Sequence, residues 1–136
     1  VDYKARNLYK HLKAVTPDGA DGYFENVGGE VLDVTLARMN AFGRIALCGM
    51  ISGYDSEPKP LKQPALLLTQ RLLVKGFIVS EHMDVWPQAL KQLGTLVAQK
   101  QLHYRESIAQ GLENAPEAFL GVLKGRNFGK QLVKLI

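Results

Sequence analysis

Three stretches of this 136-residue chain end in small residues and polar groups: Asn26-Val27-Gly28-Gly29, Cys48-Gly49-Met50 and Ile78-Val79-Ser80. Each closes an apolar run of strand character, and in open α/β sheets ligands bind beyond the carboxyl ends of the strands. Glycine lets a ligand come close to the backbone, and the Asn26 amide can both donate and accept. Such a rim suits a flat, hydroxylated ligand such as a nucleotide. The same three ends would serve equally as ordinary strand-to-helix turns. A G-x-G-x-x-G phosphate turn is absent, as is a Walker loop, and Gly28-Gly29 has the wrong spacing to replace either. Either the chain binds no dinucleotide or the phosphate-binding half lies upstream of Val1.

Other chemistries find less support. The three histidines, His11, His82 and His103, stand far apart in sequence without ligand spacing and are expected to be exposed. The single cysteine, Cys48, forbids an internal disulfide and argues for a reducing, cytosolic setting. It cannot build a structural zinc site, which takes about four Cys or His ligands. The 17 basic residues outnumber the 13 acidic ones by four, but they are spread along the chain and interrupted by acids. Nucleic-acid binding needs them clustered. A mild positive field around an anionic ligand remains open. The longest unbroken aliphatic stretch, Ala65-Leu66-Leu67-Leu68, falls far short of the roughly 18–20 apolar residues of a membrane span. The opening VDYKARN is charged, unlike a secretory signal. It carries no helix-start or turn signal, as expected of a segment cut from within a longer protein.

These residues need elements to hold them, and the pattern alternates between helix and strand. Leu8, Leu12 and Val15 predict a helix over 7–15, stopped by Pro17-Asp18-Gly19. Residues 21–27 predict a strand, and 30–39 a helix with Val31, Val34, Leu36, Ala37 and Met39 on its apolar face. Residues 43–48 predict a second strand. Residues 51–64, with three prolines, predict a long loop of the kind that often carries function. A short helix over 65–71 and a third strand over 73–79 follow. Residues 84–101 predict the longest helix, capped by Asp84, with Trp86, Ala89, Leu90, Leu93 and Val97 facing inward. A short strand over 104–108, a helix over 115–124 capped by Asn114 with Pro116 in its first turn, and a strand over 130–136 complete the chain. Strands alternating with helices imply right-handed crossovers and a mainly parallel sheet with flanking helices, an α/β fold of Rossmann-like, doubly wound type.

Four segments taken in order sharpen the reading: Phe24 to Glu30 (FENVGGE), Phe42 to Tyr54 (FGRIALCGMISGY), Gly76 to Val79 (GFIV), and Gly125 to Lys130 (GRNFGK). Together they closely resemble the zinc-free alkenal/one and prostaglandin reductase branch of the medium-chain dehydrogenase/reductase superfamily, which includes curcumin and plant double-bond reductases. The resemblance runs from Val1-Asp2-Tyr3-Lys4 to the end. It implies a single domain made of the second half of a Rossmann domain, residues 1–110, and a return segment to the substrate-binding fold, residues 111–136. The glycine-rich phosphate turn and the basic residue that reads a 2′-phosphate would lie outside this stretch.

The resemblance also implies roles. Tyr3 would lie near the adenosine end of NADP(H), and Asn26 would contact the cofactor. Cys48, Gly49, Met50, Ile51, Ser52, Gly53 and Tyr54 would form the loop around the nicotinamide half, largely through backbone groups. Phe77, Ile78 and Val79 would meet the carboxamide, and Asn127 would close over the cofactor. Tyr54 is the candidate catalytic residue, orienting or polarising a substrate carbonyl. Each has a plainer alternative: Asn26 as a helix cap, Cys48 as a small packed residue, Tyr54 as a loop anchor, Phe77 as core, Asn127 as a turn residue. The implied reaction is hydride transfer from NADPH to the β-carbon of an α,β-unsaturated ketone or aldehyde, without a metal, by a cytoplasmic homodimer that binds neither membrane nor nucleic acid. This segment alone would hold an incomplete site. A quinone reductase of the same superfamily, or a non-catalytic nucleotide-binding or dimerisation module pairing through an edge strand at 73–79, are the alternatives.

Overall fold

The structure, a computed structural model, describes every residue except Ala5 and Pro58. The chain divides into two compact units, Val1–Glu81 and His82–Ile136. Its strands are parallel with helices between them, as the alternating pattern predicts.

The first unit holds α1 (Leu8–Val15), β1 (Ala20–Glu25), α2 (Gly29–Leu36), β2 (Met39–Leu47), α3 (Ala65–Thr69) and β3 (Leu73–Gly76). Asn7 caps α1, its side chain accepting the Lys10 N–H, as a short amide at an N-cap does. Leu8 is buried on that helix while Val15 is exposed. The three strands form one sheet in the order β1-β2-β3, so β3 is an edge strand.

The core lies against this sheet. Leu32 and Leu36 of α2 meet Met39 and Ile45 of β2, with Tyr23, Leu61, Leu66, Leu67 and Leu72 packed around them. Leu36 is only 1% exposed, and burying a leucine fully is worth about 1.5–3 kcal/mol.

Three expectations for this region are corrected. The buried face of α2 carries Leu32, Asp33, Thr35 and Leu36 rather than Val31 and Val34. Met39 is core, but it opens β2 instead of ending α2. The helix stops early because Arg38 is drawn away. Its backbone N–H donates to Thr35 O at 2.8 Å, its carbonyl accepts Ala20 N–H at 3.0 Å, and its guanidinium bonds Thr16 Oγ1 and the carbonyls of Thr16 and Pro17. Ala20 pairs with Met39 and Gly22 with Arg44, so β2 bulges between the two points. That is why β2 starts four residues earlier than its apolar pattern predicts. The third strand is shorter than expected: Val79 opens a 3-10 turn, Val79–Val85.

The second unit holds α4 (Trp86–Ala98), β4 (Glu106–Gln110), α5 (Ala115–Leu123) and β5 (Lys130–Lys134), with β4 and β5 paired in parallel. Asp84 does not cap α4; Val85 takes that position and Pro87 sits in the first turn, where a missing N–H costs nothing. The apolar face expected to point inward is open, with Leu90 62% exposed and Leu93 and Val97 also exposed. Asn114 holds the N-cap position of α5 without making the cap bond, its Nδ2 donating instead to Gln110 O at 2.6 Å.

Candidate functional site

The parallel register aligns the strand ends. Glu25 of β1 stands opposite Leu47 of β2, and Leu47 opposite Gly76 of β3. Asn26, Cys48 and Phe77 therefore leave the sheet side by side at its carboxyl rim, where α/β sheets bind ligands. Backbone bonds continue past the strands: Cys48 N–H and Gly49 N–H both donate to Glu25 O, at 2.9 and 3.1 Å, and Phe77 N–H donates to Leu47 O at 3.2 Å.

Glu25 shapes the first turn of this rim. It is fully buried, and its Oε1 accepts the N–H groups of Val27 and, at 3.0 Å, Gly28. Gly28 and Gly29 then take φ of 72° and 56°, a backbone region that glycine enters without Cβ strain. The turn thus carries its own anion. Glu25 Oε2 has no hydrogen-bond partner of normal geometry among the described residues. The adjacent Tyr23 phenol feels the carboxylate: burial first, then the Glu25 charge and a bond toward it, push its pKa up to about 12, with Thr35 opposing. Strand pattern and glycine spacing alone assign Glu25 no role. A Glu directly before an Asn-x-Gly-Gly turn, reaching back over two amides, is the signal that marks it.

This removes one alternative for Asn26. The turn's amides are met by Glu25, and α2 has no side-chain cap, so Asn26 is not a helix cap. Its Oδ1 points instead toward Gly49. A methyl group on Gly49 would lie 3.3 Å from Asn26 Oδ1 and 3.3 Å from Tyr54 Oη. Asn26, Gly49 and Tyr54 thus converge on one spot, and a side chain at 49 would fill it.

The loop after β2 folds back over the turn. Ile51 N–H donates to Asn26 O at 3.0 Å and Ser52 N–H to Val27 O at 2.9 Å. Residues Ile51–Gly53 make a 3-10 turn, and Met50 N–H reaches Tyr54 Oη at 3.4 Å. Tyr54 is exposed, and its oxygen accepts the Met50 N–H while its hydroxyl keeps a proton to donate.

The other expected residues fall as follows. Cys48 is exposed rather than packed, which corrects that expectation. Phe77 is half-buried, its ring meeting Phe24 edge-on at 6.0 Å between centroids. Ile78 and Val79 are exposed just beyond β3, with Glu81 N–H donating to Ile78 O. Tyr3 is exposed, with Lys4 Nζ 5.6 Å from its ring centre. Asn127 belongs to the second unit, where its Nδ2 donates to Gly129 O at 2.7 Å, a turn-stabilising bond. Within the second unit, a cavity of about 390 Å³ between β4 and α5 is lined by Ser107, Glu117, Arg126 and Asn127 among others. His11, His82 and His103 are all exposed.

A family described as zinc-binding dehydrogenase matches residues 1–95. The chain belongs to that family. Among relatives of this dehydrogenase segment, the NADP(+)-dependent 2-alkenal reductase of Nicotiana tabacum is 42% identical over 94% of the chain and 38% of its own length. Prostaglandin reductase 1 of Bos taurus is 41% identical over 98% of the chain and 42% of its length. The crystal structure of CurA from Vibrio vulnificus, in complex with NADPH, superposes with a TM-score of 0.86 at 39% identity, covering 100% of this chain and 42% of that one. These are members of the branch that the four motifs resemble. The chain spans about two fifths of the length of the relatives it matches. The family's description implies zinc, but the described residues bring no three His, Cys, Asp or Glu side chains together.

Proposed function

We propose that the protein carrying this segment is an NADP(H)-dependent oxidoreductase that reduces the C=C bond of α,β-unsaturated ketones and aldehydes, and that this chain supplies the nicotinamide side of its cofactor site. Residues 1–110 would be the Rossmann half and 111–136 the return to the substrate-binding fold. The observation that carries this reading is the convergence of Asn26 Oδ1, Gly49 and Tyr54 Oη at the carboxyl rim of a parallel sheet. The NADP-dependent relatives and the NADPH complex of CurA support the choice of cofactor.

When bound, NADPH supplies the hydride. The chain's own residues hold and orient. Gly49 leaves open the place where a Cβ would block a flat ring. Asn26 offers an amide beside it, and the backbone of Cys48, Met50, Ile51 and Ser52 borders the same space. Phe77, Ile78 and Val79 close the β3 side, with Tyr3 and Asn127 assigned to the cofactor by resemblance. As the substrate's β-carbon accepts hydride, charge moves to the carbonyl oxygen. A donor aimed at that oxygen lowers the barrier, and the Tyr54 O–H, its oxygen accepting the Met50 N–H, would give it. No helix among the described residues is long and apolar enough to cross a membrane; a cytosolic homodimer completes the proposal.

The test uses the whole reductase. NADPH binding is followed by fluorescence and turnover by loss of nicotinamide absorbance, with enals, enones and quinones compared. Enone turnover well above quinone turnover is expected; the reverse order would replace the assigned acceptor. Gly49→Ala should weaken NADPH about tenfold, equivalent to ~1.4 kcal/mol, because the added methyl meets Asn26 and Tyr54 at 3.3 Å. Unchanged affinity in that variant would remove the ring from this spot.

A further inference from the structure

Residues Ile51–Glu57 leave β2 across the turn before α2, and Lys59–Lys62 return to the core; these two described stretches form a strap. Its near end is fixed by the two backbone bonds to Asn26 O and Val27 O. Its middle rests on glycine: a Cβ at Gly29 would lie 3.1 Å from Lys59 Cδ and 3.0 Å from Ser52 Oγ. Its far end places Leu61 against the core cluster, and there Lys62 N–H donates to Asp33 Oδ1 at 2.8 Å. Asp33 is 6% exposed, on the buried face of α2 between Leu32 and Leu36.

An acid among leucines is costly unless it is partnered, and a bond from an amide to a carboxylate is among the stronger ones. We infer that Asp33 is a positioning residue for the active site: from the buried face of α2 it tethers the far end of the strap that carries Ser52 and Tyr54, and so holds Tyr54 over Gly49. This inference rests on the proposed reductase function.

Chain length alone does not hold the strap. The ten peptide steps from Ser52 to Lys62 can span roughly 33 Å. The anchor points Val27 and Asp33 are only six residues apart in the chain, at most roughly 21 Å. With that much slack, the strap's path is set by its tethers. The near tether and the 3-10 turn fix Tyr54 from one side; Asp33 fixes the return.

The experiment uses the whole reductase with Asp33→Ala and Asp33→Asn. Three quantities are measured: amide hydrogen exchange over residues 51–63 and at Ile45, the NADPH dissociation constant, and kcat and KM for an enone. Asp33→Ala should speed exchange at Lys62 about tenfold or more, the value of one charge-assisted bond, with Ile45 unchanged. It should lower kcat several-fold more than it raises the enone KM, since Tyr54 is assigned to the transition state. Asp33→Asn keeps a carbonyl acceptor and should restore both exchange and kcat to within about threefold. If Asp33→Ala does not fold, Asp33→Ser serves: its hydroxyl is too short for Lys62 and can bond back within the helix, and the same loosening is expected. Unchanged exchange at Lys62, a rise shared equally by Ile45, or a loosened strap with unaltered kinetics would each overturn the inference. A wild-type protein that binds no NADPH and reduces no enone would overturn the functional reading instead. The exchange pattern would still decide whether Asp33 is the tether.

Discussion

The two units of the chain make unlike use of similar apolar content. In the first, Leu32, Leu36, Met39 and Ile45 form a buried cluster beneath the strand ends that carry Asn26 and Gly49. In the second, Gly121 is the only described residue that is buried, while Leu90, Leu93 and Phe119 stand exposed. The rim residues are thus set by a core belonging to their own unit. Helix α4 has the periodicity of a core helix without a cover in its own unit. Amphipathic spacing says that a helix forms; it does not say what lies against it.

The largest effect expected follows from this contrast. Leu36→Ala should cost the whole protein about 3 kcal/mol, within the range of cavity-forming leucine truncations. Leu90→Ala should stay within about 0.5–1 kcal/mol if the residue is as open in the intact protein as it is here. Urea unfolding of the two variants measures both. Equal losses would mean that Leu90 gains a cover from the remaining three fifths of the length that the relatives possess, and the contrast between the units would then belong to the segment alone.

The same contrast explains what could be read from sequence. Strand identity and order along the chain were legible because Tyr23-Phe24 and Ile45-Ala46-Leu47 run into glycine turns, and the rim followed from those turns. The start of β2 was not, because it depends on Arg38 bonding residues about twenty positions away and on pairing with Ala20. The inward face of α2 departs from its hydrophobic pattern because Asp33 and Thr35 are buried polar residues, which such a pattern counts as solvent-facing. Asp33 is paid for by a partner 29 residues on, Lys62 N–H, which no local pattern contains. Glu25 escaped for the same reason: its charge is answered by backbone amides, which have no letter in a sequence.

A smaller effect is expected in alkaline solution. The Tyr23 phenol is raised from its ordinary 10 to about 12. A raised folded value means the folded state keeps the proton while the unfolded chain releases it. Stability from this group is therefore complete below pH 10 and declines as pH rises from about 10 toward 12. Tyr23 is only half-buried, so the loss is on the order of 1 kcal/mol, well below the unscreened value of such a shift. Phenolate absorbance compared between wild type and Tyr23→Phe reads the titration directly. Glu25→Gln should lower the Tyr23 midpoint by removing the facing charge. A midpoint unmoved by that substitution would leave burial as the sole cause and detach Tyr23 from the turn that shapes the rim.

The smallest effect belongs to the second unit. Arg126 Nη1 meets Glu117 Oε1 at 2.5 Å, but both side chains are more than half exposed, and such pairs contribute about 0.2–1 kcal/mol before salt screens them. The turn that carries Asn127 is held chiefly by backbone instead. Arg126 N–H donates to Gly121 O at 2.8 Å and Gly125 N–H to Val122 O at 3.0 Å, with Gly125 at φ 60°. That arrangement is a glycine-ended helix stop, which needs no ion pair. Glu117→Gln should therefore change unfolding free energy by less than about 0.5 kcal/mol and leave NADPH affinity within about twofold, with the small stability effect vanishing at high salt. A loss of cofactor affinity beyond fivefold on that substitution would make the ion pair, and not the glycine stop, the support of the Asn127 turn. The second unit would then owe its order to charge where the first owes it to burial.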